Sequence, residues 1–285
     1  MHGILNVYKP SGISSNFCLV CLKKQLNIKK LGHLGTLDPL ACGVLPVAVN
    51  KATKLFDFYL NKNKKYLAEF TFGFLTDTLD LDGKVIGKSN KIPSKSEIEE
   101  KLPKLIGKIS QIPPKFSAKN INGKRAYDLA RNGEDFTLEP KEVVVYDFKI
   151  IKQIDEKTFL FEILCSSGTY IRSLARDLGT MLGTCATMTK LTRTQSGEFK
   201  IEDATNFKEI NSTNVKNKII SLEKLLSDFK TINLDEKYFK KLSNGVQIET
   251  SFEDCNLVVV YCNKILIGLG EIKEKMLKIK TNLIA

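Results

Sequence analysis

A mixed α/β or α+β domain followed by a small all-β appendage is the architecture this sequence predicts, on three observations. Strand-like and helix-like apolar patterns alternate up to about residue 228, as they do when helices cover a sheet. From residue 230 onward there is no Arg, and short strand-like runs at 257–262, 264–269 and 277–280 are separated by turn residues. The length of 285 residues suits one large domain and a small one. The boundary is expected near 228–232, giving units of 1–228 and 229–285.

Residues 3–8 read as a short buried strand, and Ser14 or Ser15 caps a helix that runs to about residue 26. Residues 31–46 break every periodic pattern. Gly32, Gly35, Pro39, Gly43 and Pro46 punctuate a loop that still carries Leu34, Leu37, Leu40 and Leu45. A loop rich in both Gly and Leu is expected to fold tightly, the setting in which functional groups tend to be held. Residues 66–74, rich in aromatics, read as a strand, and Asp82-Gly83 within 81–86 signals a tight hairpin. Ser94 and Ser96 each have an acid three residues on (Glu97, Glu99), the capping-box spacing of a helix start. Residues 113–136 form an excursion containing Pro, Lys and Gly, with a short helix near 126–131. Strands at about 142–152 and 158–165 lead into a helix carrying Leu174, Ala175, Leu178 and Leu182 at helical spacing. A polar stretch and a helix around 219–228 complete the large unit.

Lys and Arg number 44 against 32 for Asp and Glu, a formal net charge of +12. Residues 1–65 hold ten Lys and only two acids, Asp38 and Asp57, so most of the excess lies in the first quarter of the chain. A patch this dense suits a phosphate-bearing partner such as nucleic acid, or an anionic membrane surface. A lysine-rich solvated face is the bland alternative. No apolar run approaches the ~18–20 residues a spanning helix needs. Residues 1–10 lack the basic start, apolar stretch and cleavage site of a signal peptide, so a cytoplasmic protein is expected. Seven Cys, an odd count, point to reduced thiols. Cys18-Leu19-Val20-Cys21 has zinc-like spacing, yet no second pair or nearby His completes a site. Buried helix thiols are the expectation, and no metal.

The most informative stretch is Gly32-His33-Leu34-Gly35-Thr36-Leu37-Asp38-Pro39-Leu40-Ala41-Cys42-Gly43-Val44-Leu45-Pro46. Read alone, Asp38 before Pro39 could simply start a turn, and His33 could be a structural hydrogen-bonding residue. Against that, Asp38 is an isolated carboxylate in a basic, apolar loop, and His33 is the only His beyond position 2. The stretch is no P-loop, because it lacks the Gly-Lys-Ser/Thr ending.

This segment resembles the signature loop of the TruB family of tRNA pseudouridine synthases. The likeness extends through Lys9-Pro10-Ser11-Gly12-Ile13-Ser14-Ser15, Ala52-Thr53-Lys54, Lys64-Lys65-Tyr66 and Thr76-Asp77-Thr78-Leu79-Asp80. It continues in Pro113-Pro114-Lys115-Phe116-Ser117-Ala118, Gly168-Thr169-Tyr170-Ile171-Arg172 and Leu191-Thr192-Arg193-Thr194, all in the family's order. Leu34 and Cys42 stand where the family usually carries Thr. The resemblance implies a pseudouridine synthase fold, with a central mixed, largely antiparallel sheet flanked by helices. It also implies an RNA-clamping insertion at about 113–140 and a PUA-like RNA-binding domain at 229–285.

The activity so implied is isomerisation of uridine-55 in the T-loop of tRNA to pseudouridine, by base flipping and without a cofactor. Carried over motif by motif, Asp38 is the essential carboxylate, Arg172 holds that anion, and Asp80 positions Arg172. Tyr66 stacks on the flipped base, Tyr170 packs against base or ribose, and Leu191 lines the pocket. His33 occupies the space that flipped nucleotides leave. Lys9, Lys54 and Arg193 are candidates either for phosphate contacts or for local packing. The partner is the T-arm stem-loop of tRNA, met by a monomer without membrane or metal. A competing class is an RNA-binding module in which catalysis is secondary; Asp38→Asn separates the two.

Overall fold

The computed structural model describes residues 1–284 apart from Ala118, the last residue of the Pro113–Ala118 motif, and Asn122. One large sheet organises the molecule. Its main path runs Thr205–Asn206, Gly3–Lys9, Cys42–Val49, Ala186–Ser196, Lys64–Phe72, Thr158–Cys165, Lys141–Gln153, Gly107–Gln111. Along that path the pairs are antiparallel except at Gly3–Lys9 with Thr205–Asn206 and Cys42–Val49 with Ala186–Ser196. The sheet is thus mixed and largely antiparallel.

Alternation decides which face each side chain takes. In Lys64–Phe72 the side chains of Lys64, Tyr66, Ala68, Phe70 and Phe72 are buried and the intervening ones half-exposed. Phe70, Phe72, Phe148, Phe159 and Phe161 form an aromatic layer beneath the sheet, with Phe70 and Phe161 centroids 4.8 Å apart. Burying each such ring contributes about 1.5–3 kcal/mol. The helix Ile171–Met181 closes this core with Ile171, Leu174, Ala175 and Leu178. The helix Ser15–Leu26 covers the neighbouring strands, capped by the Ser14 hydroxyl, which accepts from the Phe17 amide, and ended by Asn27 at φ 51°. Leu5 and Val7 of the first strand face that core, whereas Ile4 faces a second one.

The second core is shared with a five-stranded sheet ordered Thr231–Leu234, Cys255–Cys262, Ile265–Lys273, Met276–Asn282, Ile248–Glu249. Val259, Leu269 and Leu283 pack there with Ile4, Val44, Ala48 and Tyr59. No helix among the described residues is long and apolar enough to cross a membrane.

Some local expectations are corrected. Residues 31–46 are not all loop, because Leu31–His33 and Cys42–Val49 are paired strands. Gly43 serves close approach rather than turning: at φ 104°, a Cβ there would lie 2.3 Å from the Arg193 carbonyl oxygen. Asp82-Gly83 is not a two-residue hairpin, since the paired strands are Phe74–Thr76 and Val85–Lys88. Gly83 instead presses on Asp77 and Thr78. Leu191 lies on the strand Ala186–Ser196, which runs through the polar stretch and pairs along Lys64–Phe72. Finally, the helix around 219–228 shortens to Leu222–Leu225, because Ile219–Ser221 pairs with the first strand.

Candidate active site

The loop of residues 34–41 is held from two sides. From the first, Ser15 bridges Leu37 in both directions, donating to its carbonyl and accepting from its amide at 2.9 Å each. The Ser11 hydroxyl donates to the Leu40 carbonyl (2.6 Å), and the Lys9 ammonium reaches the carbonyls of Pro10, Ile13 and Pro39. From the second, Arg193 donates through Nε to the Val44 carbonyl (2.7 Å), through Nη1 to Thr36 (3.2 Å) and through Nη2 to Gly35 (3.1 Å). The loop tip closes with the Ala41 amide donating to the Asp38 carbonyl.

These contacts place Asp38 in the wall of a cavity of about 320 Å³, at the small end of the range for ligand sites. The Asp38 carboxylate is 34% exposed, and Arg172 Nε, on a side chain 5% exposed, stands 3.0 Å from its Oδ2. That ion pair lacks the alignment of a hydrogen bond, so the Nε–H is unspent. The other guanidinium nitrogens are fixed: Nη1 lies 3.3 Å from Asp80 Oδ2 and donates to the Thr78 carbonyl, and Nη2 donates to the Phe116 carbonyl. Asp80 is held in turn by the Thr78 hydroxyl (2.6 Å) and the Asp82 amide (3.1 Å). Burial pushes the Asp80 carboxyl up from the usual carboxylate range, opposed by Thr78, Arg172 and the Asp82 amide. Leu79, at φ 64°, carries the left-handed backbone leading into Asp80.

The cavity brings together Asp38, Tyr66, Tyr170, Arg172, Leu191 and Arg193. Strand register accounts for part of this, because Tyr66 pairs with Ile163 on one side and Arg193 on the other. Burial pushes the Tyr66 phenol up to about 12 and raises that of Tyr170 as well, so both stay neutral. Asp80 sits behind Arg172, outside the lining.

Three predicted site residues are elsewhere. His33 pairs with Val47 on a short strand; burial and the neighbouring Arg193 lower its pKa, and its Nδ1 is buried without a hydrogen-bond partner. Lys54 is half-buried in the turn Asn50–Leu55. For Lys9 the geometry favours the packing alternative: it has no exposure and its ammonium sits on three carbonyls of the loop. Arg193, 1% exposed, favours the packing alternative as well, since its guanidinium pins the loop backbone.

Sequence reasoning missed other residues. Lys64 lines the cavity, its ammonium on the carbonyls of Leu60 (2.5 Å) and Lys62 (2.6 Å). Burial lowers both Lys64 and Lys9 to about 8. Gln111, 1% exposed, exchanges two hydrogen bonds with the Tyr170 backbone. Lys9, Lys64 and Arg193 are three buried cations whose hydrogen bonds go to carbonyls, leaving a positive field that suits a phosphate-bearing molecule. Cys42 Sγ lies within hydrogen-bonding distance of Thr192 Oγ1, at 3.2 Å. Among the described residues no three His, Cys, Asp or Glu are grouped to hold a metal.

The chain is similar to known proteins over nearly its whole length. Residues 23–171 match the TruB family pseudouridylate synthase (N terminal domain), and residues 172–233 match the tRNA pseudouridylate synthase B C-terminal domain. The chain is 43% identical to the tRNA pseudouridine synthase B of Clostridium novyi, over 98% of this chain and 99% of that one. It is 39% identical to that of Clostridium tetani, over 98% of each. A chain of an H/ACA RNP bound to a substrate RNA containing 2′-deoxyuridine shares its fold. There the TM-score is 0.72 at 23% identity, over 99% of this chain and 85% of that one. A chain of a Cbf5–Nop10–Gar1 complex gives 0.68 at 26% identity, over 95% and 78%. The chain belongs to the TruB family of pseudouridine synthases.

Proposed function

We propose that this chain isomerises uridine-55 in the T-loop of tRNA to pseudouridine, with Asp38 as the essential carboxylate and no cofactor. As a TruB family member it is an isomerase acting on tRNA uridine. One observation carries the finer reading: Asp38 is partly exposed in the cavity wall with the Arg172 guanidinium 3.0 Å away. The reaction breaks the bond between ribose C1′ and uracil N1 and joins C1′ to C5; C5 loses a proton and N1 ends with one. Asp38 acts at the sugar as a nucleophile or a base, and in either role it must be held as an anion facing the ribose. Arg172 does the holding, and Asp80 sets the Arg172 fork.

A uridine paired and stacked in the T-loop must be extruded first, at a cost of a few kcal/mol. Stacking on Tyr66 offsets about 1–3 kcal/mol of that, and Tyr170 and Leu191 close on base and ribose. His33 fills the space the flipped nucleotide leaves. Residues 1–228 form the catalytic domain, with 113–140 clamping the stem-loop, and 229–285 a PUA-like RNA-binding domain. The protein works as a cytoplasmic monomer. The test is to incubate it with an unmodified T-arm stem-loop and map pseudouridine by chemical labelling. Product at the T-loop uridine is expected; tight binding with no product would replace this reading with that of an RNA-binding module.

A further inference from the structure

The 113–140 excursion contributes Ser117 to the cavity wall, and its hydroxyl completes no hydrogen bond in the free protein. Ser117 is 4% exposed, lines the cavity, and its hydroxyl is buried without a hydrogen-bond partner. Its hydroxyl lies beside the Tyr170 phenol, near enough to oppose the upward push of burial on that group, yet outside full hydrogen-bond geometry. A buried hydroxyl left unpaired is destabilising, so its retention in a cavity wall calls for a partner that arrives later.

The position is rigid. Gln111 exchanges hydrogen bonds with the Tyr170 backbone at 2.8 and 3.1 Å. The Ile112 carbonyl accepts from the Ser173 hydroxyl and from Arg176 Nη2. The Phe116 carbonyl accepts from Arg172 Nη2 at 3.0 Å. The segment leading to Ser117 is therefore stitched to the helix that carries Arg172, and the Ser117 hydroxyl is fixed relative to the guanidinium that meets Asp38.

Resting on the reading that this cavity takes the extruded uridine, we propose that Ser117 is a substrate-contacting residue whose hydroxyl hydrogen-bonds the edge of the flipped uracil. A uracil edge offers two carbonyl acceptors and one N–H donor, and a hydroxyl can serve either kind. Because the Phe116 carbonyl fixes Arg172 one residue away, the same short segment sets the base-binding wall and the orientation of the guanidinium.

The experiment measures pseudouridine formation on a T-arm stem-loop by wild type, Ser117→Ala and Ser117→Cys, with thermal melts of all three. Wild type is expected to form product, and both variants to lose about tenfold in kcat/KM, the value of one hydrogen bond. Ser117→Cys fills the volume with a weak donor, so its loss assigns the effect to the hydroxyl. The melting temperature of Ser117→Ala should stay level or rise, because an unsatisfied group is removed. Wild-type kcat/KM in either variant overturns the proposal, as does a drop in melting temperature that accounts for the lost activity. A wild-type protein that forms no product overturns the underlying reading instead.

Discussion

Two buried guanidinium groups line the cavity that holds Asp38, with opposite surroundings. On one side Arg172 meets two carboxylates, Asp38 and Asp80, at 3.0 and 3.3 Å. On the other, Arg193 donates to the carbonyls of Gly35, Thr36 and Val44. The first is a charge pair built around one partly exposed anion. The second is a backbone clamp, and it shapes the loop that presents that anion. Residue type alone does not separate these roles; what each fork can reach does.

The sharpest way to break the comparison is to keep each charge and remove each fork. Arg172→Lys should lower kcat by about 10²–10³ while tRNA affinity in filter binding changes little; near-normal turnover would remove Arg172 from the reaction. Arg193→Lys should act mainly on stability. It leaves two carbonyls without donors, a loss of about 3–4 kcal/mol read as a lower urea midpoint at unchanged slope. Intact stability with weakened tRNA binding would instead return Arg193 to phosphate contact.

Lys64 extends the contrast to pH. Its pKa is lowered by burial from 10.5 to about 8, so between those values the unfolded chain binds more protons and folding stability rises with pH. Lys64→Met lacks that rise. Wild type should therefore gain roughly 3 kcal/mol relative to the variant between about pH 8 and 10.5, as followed by paired urea melts; parallel curves would show a solvated ammonium. The smallest effect belongs to Asp80→Asn, which keeps an acceptor for the Thr78 hydroxyl but removes the charge behind Arg172. About a tenfold fall in kcat is expected, with no loss of binding.

What was legible in the sequence follows the same divide between local and distant causes. The Ser94–Glu97 capping box starts the helix Lys95–Lys101, and the Ser14 cap starts Ser15–Leu26, because both signals lie within one turn. The short helix Ala126–Arg131 and the strand Thr158–Cys165 were legible for similar reasons. The strand Ala186–Ser196 was hidden by Thr, Lys, Arg and Gln, although its repeated β-branched Thr was a usable signal. Gly43 looked like a turn because nothing nearby in sequence announces the Arg193 backbone pressing on it. In the site, Asp38 stood out as a lone carboxylate, and the family motifs named Tyr66, Tyr170 and Arg172. Gln111, Ser117 and Lys64 did not stand out. Gln111 acts through Tyr170, 59 residues away in sequence, and Lys64 looked like one more lysine of a basic surface until its ammonium was seen on two carbonyls.

On the proposed function the Asp38 carboxylate performs the chemistry, while RNA binding rests on surfaces outside it. Single-turnover assays of wild type and Asp38→Asn on one T-arm stem-loop, with binding measured on the same samples, test it most directly. The account predicts stem-loop affinity within about threefold of wild type and no pseudouridine above background, a loss exceeding the 10²–10³ of a supporting group. Pseudouridine formed by Asp38→Asn at a rate near that of wild type would contradict it.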